Sequence, residues 1–273
     1  MAGASHRATA AAYAAAFLAF VAIAANLRPA QAADPAAASA ASGRRLIADA
    51  SQYPWSAIGR LNFGGGGFCT AFLIGEREAL TAAHCLHDKR GNKPWRPRDL
   101  HFRAGFQQDK HVAESGIESY VVADDFVPGA EPVTANADAD WALLRLKRPI
   151  GRVAGYLGIL PADLAEVARL AQRPGALLKS GYRIDADNVQ TITRDCRAVG
   201  HLTGSTMLLH DCPTIHGDSG APILSMNGDT VRVVGMHVWM VQHRDGRSGG
   251  AAVVPAAWQT VSVRPMASLA LLE

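Results

Sequence analysis

The chain has 273 residues, of which 49% are hydrophobic and 19% charged, with a formal net charge of +3 and 4 Cys. That length is enough to bury a sizeable core, as one large domain or two small ones. The slight positive excess makes no electrostatic case for nucleic acid as a partner. Four cysteines in so long a chain exclude a small scaffold held together mainly by disulfides.

The first segment, residues 1–32, reads as a signal peptide. His6 and Arg7 precede an uncharged apolar run over residues 8–27, and Ala30-Gln31-Ala32 offers small residues where a signal peptidase cuts. The mature chain is therefore expected to begin at Ala33, in a secreted or periplasmic setting with no stable membrane anchor. A retained anchor is the alternative, because the run is about long enough to span a bilayer. Its alanine-rich composition makes it only weakly hydrophobic and favours removal. Residues 33–45 follow as a disordered spacer or propeptide, with too little bulky apolar surface to offset ordering entropy.

From Tyr53 onward, short apolar runs are broken by Gly, Pro, Asn and Asp. Strands are expected within residues 55–61, 68–74, 78–83, 119–122, 141–146, 189–193, 206–209, 222–225 and 231–241, the pattern of an all-β sandwich or barrel. Residues 88–103 gather Lys89, Arg90, Lys93, Arg96, Arg98 and Arg103 among Gly and Pro, which reads as a solvated loop rather than a patch for an acidic partner. One helix is expected over residues 161–171, opened by Pro161, with Leu164, Val167, Ala168 and Ala171 on one face. It lies mid-chain, where a connection between two halves would sit.

Three stretches carry chemistry: Thr81-Ala82-Ala83-His84-Cys85, Asp140-Trp141-Ala142-Leu143-Leu144 and Gly217-Asp218-Ser219-Gly220-Ala221-Pro222. A hydroxyl is a poor nucleophile at neutral pH and needs a base within hydrogen-bond reach, itself oriented by a third group. Histidine can accept and return a proton in this range. Each stretch alone has an ordinary structural explanation. Together they supply His84, Asp140 and Ser219 in one order at suitable separations.

With these residues in place, the sequence resembles the trypsin-like (chymotrypsin-fold) serine endopeptidases, and among them the bacterial glutamyl-endopeptidase branch, over residues 46–255. Further anchors are Tyr53-Pro54-Trp55 and Phe68-Cys69-Thr70-Ala71-Phe72-Leu73-Ile74. The resemblance implies two six-stranded antiparallel β-barrels, residues 46–150 and 151–273, the second ending in a tail from residue 262. The active site would lie in the cleft between them. It also implies that Ser219 attacks the scissile carbonyl to form an acyl-enzyme, that His84 moves the proton, and that Asp140 orients His84. Asp138 is the rival carboxylate, placed by the motif spacing in the preceding loop. The N–H groups of Gly217 and Ser219 would form the oxyanion hole. No cofactor or metal is required, and the expected partner of a monomeric enzyme is a protein or peptide paired along the edge near residues 238–240. Four cysteines permit three pairings; the resemblance selects Cys69–Cys85 and Cys196–Cys212.

Departures concern specificity and activation. Pro213 stands six residues before Ser219, where trypsin carries an acidic residue, so a preference for Lys or Arg is not expected. Thr214 and His237 match positions where glutamyl endopeptidases hold a substrate carboxylate, although His237 also reads as a packed core residue. Val238, Trp239 and Met240 complete the pocket wall, with Met240 where glycine usually stands. Arg44-Arg45-Leu46-Ile47 resembles an activation cleavage site between Arg45 and Leu46. The new amine would then pair with Asp218; alternatively, Asp218 bonds local backbone. Two other functions compete. A serine esterase is disfavoured because Ala221 breaks the Gly-x-Ser-x-Gly pattern and the acid precedes the serine. A silent binding module on a protease fold usually loses a triad residue, and all three remain here.

Overall fold

The computed structural model describes residues 45–88, 90–128, 137–173, 175–228, 230–242 and 248–259. The expected signal peptide, the spacer up to residue 44 and the C-terminal tail lie outside the described residues. In chain order the strands are β1 (Arg45–Ile47), β2 (Ile58–Phe63), β3 (Phe68–Leu73), β4 (Glu78–Thr81), β5 (His87–Asp88), β6 (Lys93–Pro94), β7 (Leu100–Ala104), β8 (Ala113–Val122) and β9 (Ala142–Leu146). There follow β10 (Gly158–Ile159), β11 (Leu177–Arg183), β12 (Ala186–Cys196), β13 (Ala198–His201), β14 (Leu208–His210), β15 (Pro222–Asn227), β16 (Thr230–Gln242) and β17 (Ser248–Val253).

Six strands close a barrel in the order β2-β3-β4-β9-β8-β7. Period-two alternation explains the closure. On β7, Leu100, Phe102 and Ala104 are buried while His101 and Arg103 are not; on β9, Ala142, Leu144 and Leu146 are buried while Arg145 is exposed. Their inward side chains join Ile58, Leu61, Phe72 and Leu80 in one apolar core. A second sheet runs β1-β12-β11-β15-β16-β17-β14-β13, with β10 added in parallel to β16. The all-β, two-barrel expectation therefore holds. β1 pairs with residues 191–193 of β12, so the described chain starts in the second sheet before entering the first barrel.

Two local expectations change. The mid-chain helix spans Leu164–Leu170, because the Asp163 carboxylate accepts the Glu166 N–H at 2.9 Å and caps it three residues after the opening expected at Pro161. The basic stretch over residues 88–103 is not a single loop. It contains the β5–β6 hairpin, the 3₁₀ turn Pro97–Asp99 and nearly all of β7. Arg103 sits on the outer face of β7 by alternation, 3.6 Å from Glu114.

Both implied disulfides are present. Cys69–Cys85 ties β3 to the short helix carrying His84, and Cys196–Cys212 ties the end of β12 to the chain after β14. The first closes a sequence separation of 16. A loop of that size predicts that Cys69→Ala/Cys85→Ala loses about 3 kcal/mol. Urea unfolding of the variant beside the parent checks this.

Candidate active site

His84 lies in the 3₁₀ turn Ala83–Leu86, directly after β4. Asp140 lies immediately before β9, and the pairing of Thr81 with Ala142 brings the two together. The buried Asp140 carboxylate holds His84 twice: Oδ1 accepts the His84 backbone N–H at 2.9 Å, and Oδ2 lies 2.7 Å from the ring Nδ1. This double contact fixes both the turn and the ring orientation. Asp138 sits in the preceding turn Ala137–Ala139, where its carboxylate accepts the Thr206 N–H and hydroxyl.

Ser219 is positioned by its neighbours' backbone. Thr70 N–H donates to Ser219 O at 2.9 Å, and Gly220 N–H donates to His237 O at 2.7 Å. The Thr70 hydroxyl donates to Gly217 O at 3.0 Å. Because Cys69 precedes Thr70 and is bonded to Cys85, next to His84, these contacts set Ser219 against the wall that carries His84. Gly217 and Gly220 have φ of +95° and +83°. A Cβ would fall 2.7 Å from the Tyr182 carbonyl at the first and 2.1 Å from the Thr70 carbonyl at the second. Only glycine fits either position.

The Ile184 N–H donates to His216 O at 2.8 Å. A trans peptide then points the Gly217 N–H the opposite way. Among the described residues, neither this N–H nor that of Ser219 has an acceptor, and the Ser219 hydroxyl is also unpaired. The same loop thus carries two free donors and a free hydroxyl. Loose nucleophile–base contacts are common before substrate binds.

Several of the expected pocket residues are engaged with neighbouring groups. The buried Thr214 hydroxyl donates to Gly249 O at 2.6 Å. His237 is buried with its Nδ1 3.1 Å from His210 Nε2, and Val238 is buried beside it. The Trp239 ring lies 5.6 Å from that of His84, whereas Met240 is exposed and does not fill the pocket. Pro213 offers its carbonyl to Lys179 Nζ at 3.0 Å. Asp218 is buried against Lys179 and also accepts the Ile215 N–H, while Arg45 and Leu46 are held in β1. Burial lowers the Lys179 pKa, and the adjacent Asp218 opposes that effect. Cys69 and Cys85 sulfurs lie near a His84 nitrogen, but the disulfide leaves them no thiolate with which to bind a metal.

Thr70, Lys179 and His210 are site residues that sequence reasoning missed. Lys179 left a readable trace: a lone lysine among Leu177, Leu178, Ser180 and Gly181, in a stretch otherwise suited to burial.

A model of the trypsin family matches residues 47–259. The chain belongs to the trypsin family. Serine protease 23 of Mus musculus is 28% identical over 179 residues, covering 56% of this chain and 45% of that protein. The Bos taurus protein of the same name is 28% identical over 178 residues with the same coverage. The match thus spans less than half the length of these curated relatives. A solved Glu endopeptidase in complex with MPD superposes with a TM-score of 0.61 at 21% identity, covering 78% of this chain and 92% of the other. A thermostable serine protease, AL20, from an extremophilic microorganism gives 0.54 at 17% identity, covering 73% and 91%. At these identities the likeness establishes the trypsin-family fold.

Burial first, then the Lys179 charge and the neighbouring His210 and His84 imidazoles, pull the His237 imidazole well below its usual pKa. The native ring therefore stays neutral while an unfolded one takes up a proton near about pH 6.5. His237's stabilising contribution is full above that pH and is lost as pH falls below it. Urea unfolding of the parent between about pH 7 and 5 should show this group's loss, up to about 1.4 kcal/mol per pH unit. His237→Asn should remove that component; an unchanged slope would contradict the assignment.

Proposed function

We propose that this chain is a secreted serine endopeptidase that cleaves peptide bonds through His84, Asp140 and Ser219. The observation carrying the reading is the double grip of Asp140 on His84, beside a loop in which the Ser219 hydroxyl and the N–H groups of Gly217 and Ser219 have no partner among the described residues. Ser219 Oγ attacks the scissile carbonyl while His84 Nε2 takes its proton. Asp140 holds the proton on Nδ1 and stabilises the imidazolium. The N–H groups of Gly217 and Ser219 receive the developing oxyanion. His84 then protonates the leaving amine, and water repeats the sequence to release the acyl group.

A peptide strand has a place to bind. Pairing of β15 with β16 ends at Met236, and the backbone of residues 238–242 pairs with β17 on one side only. The other edge of residues 238–241 passes Trp239, next to His84, and has no backbone partner among the described residues, which leaves it open to main-chain addition. One copy supplies every residue of this site. The two disulfides and the signal-like N-terminal segment support export to an oxidising compartment.

A fluorophosphonate probe should label the folded protein, and Ser219→Ala should abolish both labelling and peptide hydrolysis. Asp140→Asn should lower kcat by about 10⁴-fold, a scale taken directly from a trypsin-family enzyme. A folded, processed protein that resists the probe would favour the binding-module reading. Turnover of simple esters alone, with no peptide cleaved, would favour the esterase.

The pocket supports an acidic residue before the scissile bond over a basic one. Pro213 supplies no carboxylate, and the His237–His210 pair can share the proton that a bound carboxylate would draw in. Thr214 could donate to that carboxylate only by releasing Gly249 O. In peptides varied only at this position, Glu should be turned over faster than Leu or Ala, and Lys slowest. Equal rates would remove the assignment.

A further inference from the structure

Beneath the nucleophile loop lies a cation that the mechanism does not consume. Lys179, on β11, has a side chain only 2% exposed and donates to Asp218 Oδ2 at 2.6 Å and to Pro213 O at 3.0 Å. The same Asp218 oxygen accepts the Ile215 N–H at 3.1 Å and lies 3.6 Å from Arg183 Nη1. One ammonium thus ties together both ends of residues 213–218, immediately before Ser219. A buried carboxylate stripped of its cation is strongly unfavourable, so Asp218 stays where a cation meets it.

That cation belongs to the uncut chain. Residues Arg45–Ile47 are paired as β1 on β12, and Arg45 lies 3.5 Å from Asp185, which Arg183 also holds. We propose that Lys179 is a positioning residue that anchors Asp218, and with it the free N–H groups of Gly217 and Ser219, so that the oxyanion hole forms without cleavage between Arg45 and Leu46. The proposal rests on the reading of Ser219 as nucleophile. It concerns the regulation of that site: the enzyme is competent before any cut at this bond.

The test compares the chain beginning at Ala33, shown by mass spectrometry to be intact across residues 44–46, with a chain beginning at Leu46. Both are treated with the fluorophosphonate probe and a peptide substrate. The intact chain should label and turn over within about threefold of the shorter one. An inert intact chain beside an active Leu46 chain would overturn the proposal and leave the peptidase reading standing. If neither chain labels while both are folded, the peptidase reading itself fails. Lys179→Met and Lys179→Gln separate positioning from simple stability, the second retaining a hydrogen-bond donor. In whichever folds as the parent does, kcat should fall by about 100-fold or more, the scale of losing an oxyanion donor, with KM changed only a few-fold. A folded Lys179→Gln with kcat within about threefold of the parent would overturn the assignment.

Discussion

Four hydrogen bonds meet at Thr70, a small residue with no exposed surface. Its N–H donates to Ser219 O, its carbonyl accepts from the Thr81 hydroxyl, and its own hydroxyl donates to Gly217 O while accepting from the Tyr182 N–H. Every polar group of the residue is thereby used, and each would cost about 1–3 kcal/mol if left buried without a partner. Thr70 belongs to β3 of the closed barrel, whereas Tyr182 belongs to β11 of the second sheet and Gly217 and Ser219 to the loop leading into β15. The contact therefore sets the nucleophile loop against the strand bonded through Cys69 to the histidine turn. A shift between the two sheets would break several of these bonds at once.

Around that junction stand two buried carboxylates with different tasks. Asp140 divides its two oxygens between the His84 ring and the His84 backbone, the arrangement that the proposed proton transfer by His84 needs. Asp218 meets permanent hydrogen-bond donors, Lys179 and the Ile215 N–H, and contributes shape rather than proton transfer. A buried ion pair is weak evidence for stability, because desolvation offsets most of its attraction. Its value here is geometric. The Lys179–Asp218 pair and the positive-φ glycines at 217 and 220 leave the loop few alternative conformations.

The candidate catalytic stretches were legible in the sequence because the proposed chemistry restricts them to particular residue types at particular spacings. His84, Asp140, Gly217 and Ser219 were singled out on that ground, and the fold brings Asp140 onto His84. The strands β7, β11 and β17 could not. β11 contains Lys179 and Arg183, which read as surface residues until Asp218 and Asp185 explain their burial. β17 begins Ser-Gly-Gly, a turn signal by composition, yet residues 249–253 are buried. β7 was hidden inside a basic run whose charges lie largely outside it or on its outer face. Tertiary partners decided all three, and partners distant in sequence leave little local trace.

The pocket shows the same limit in its sharpest form. Alternation along β16 fails over residues 233–238, which are all buried, so His237 and Val238 lie in the interior together; the register with β17 slips just beyond, between His237 and Trp239. A bulge can re-aim side chains in this way. Gly250 of β17 packs against the histidines: a Cβ there would fall 2.5 Å from the His237 ring and 2.7 Å from that of His210. The volume a larger side chain would need is filled by the two imidazoles. Glycine on one strand and paired histidines on its neighbours are therefore one packing solution.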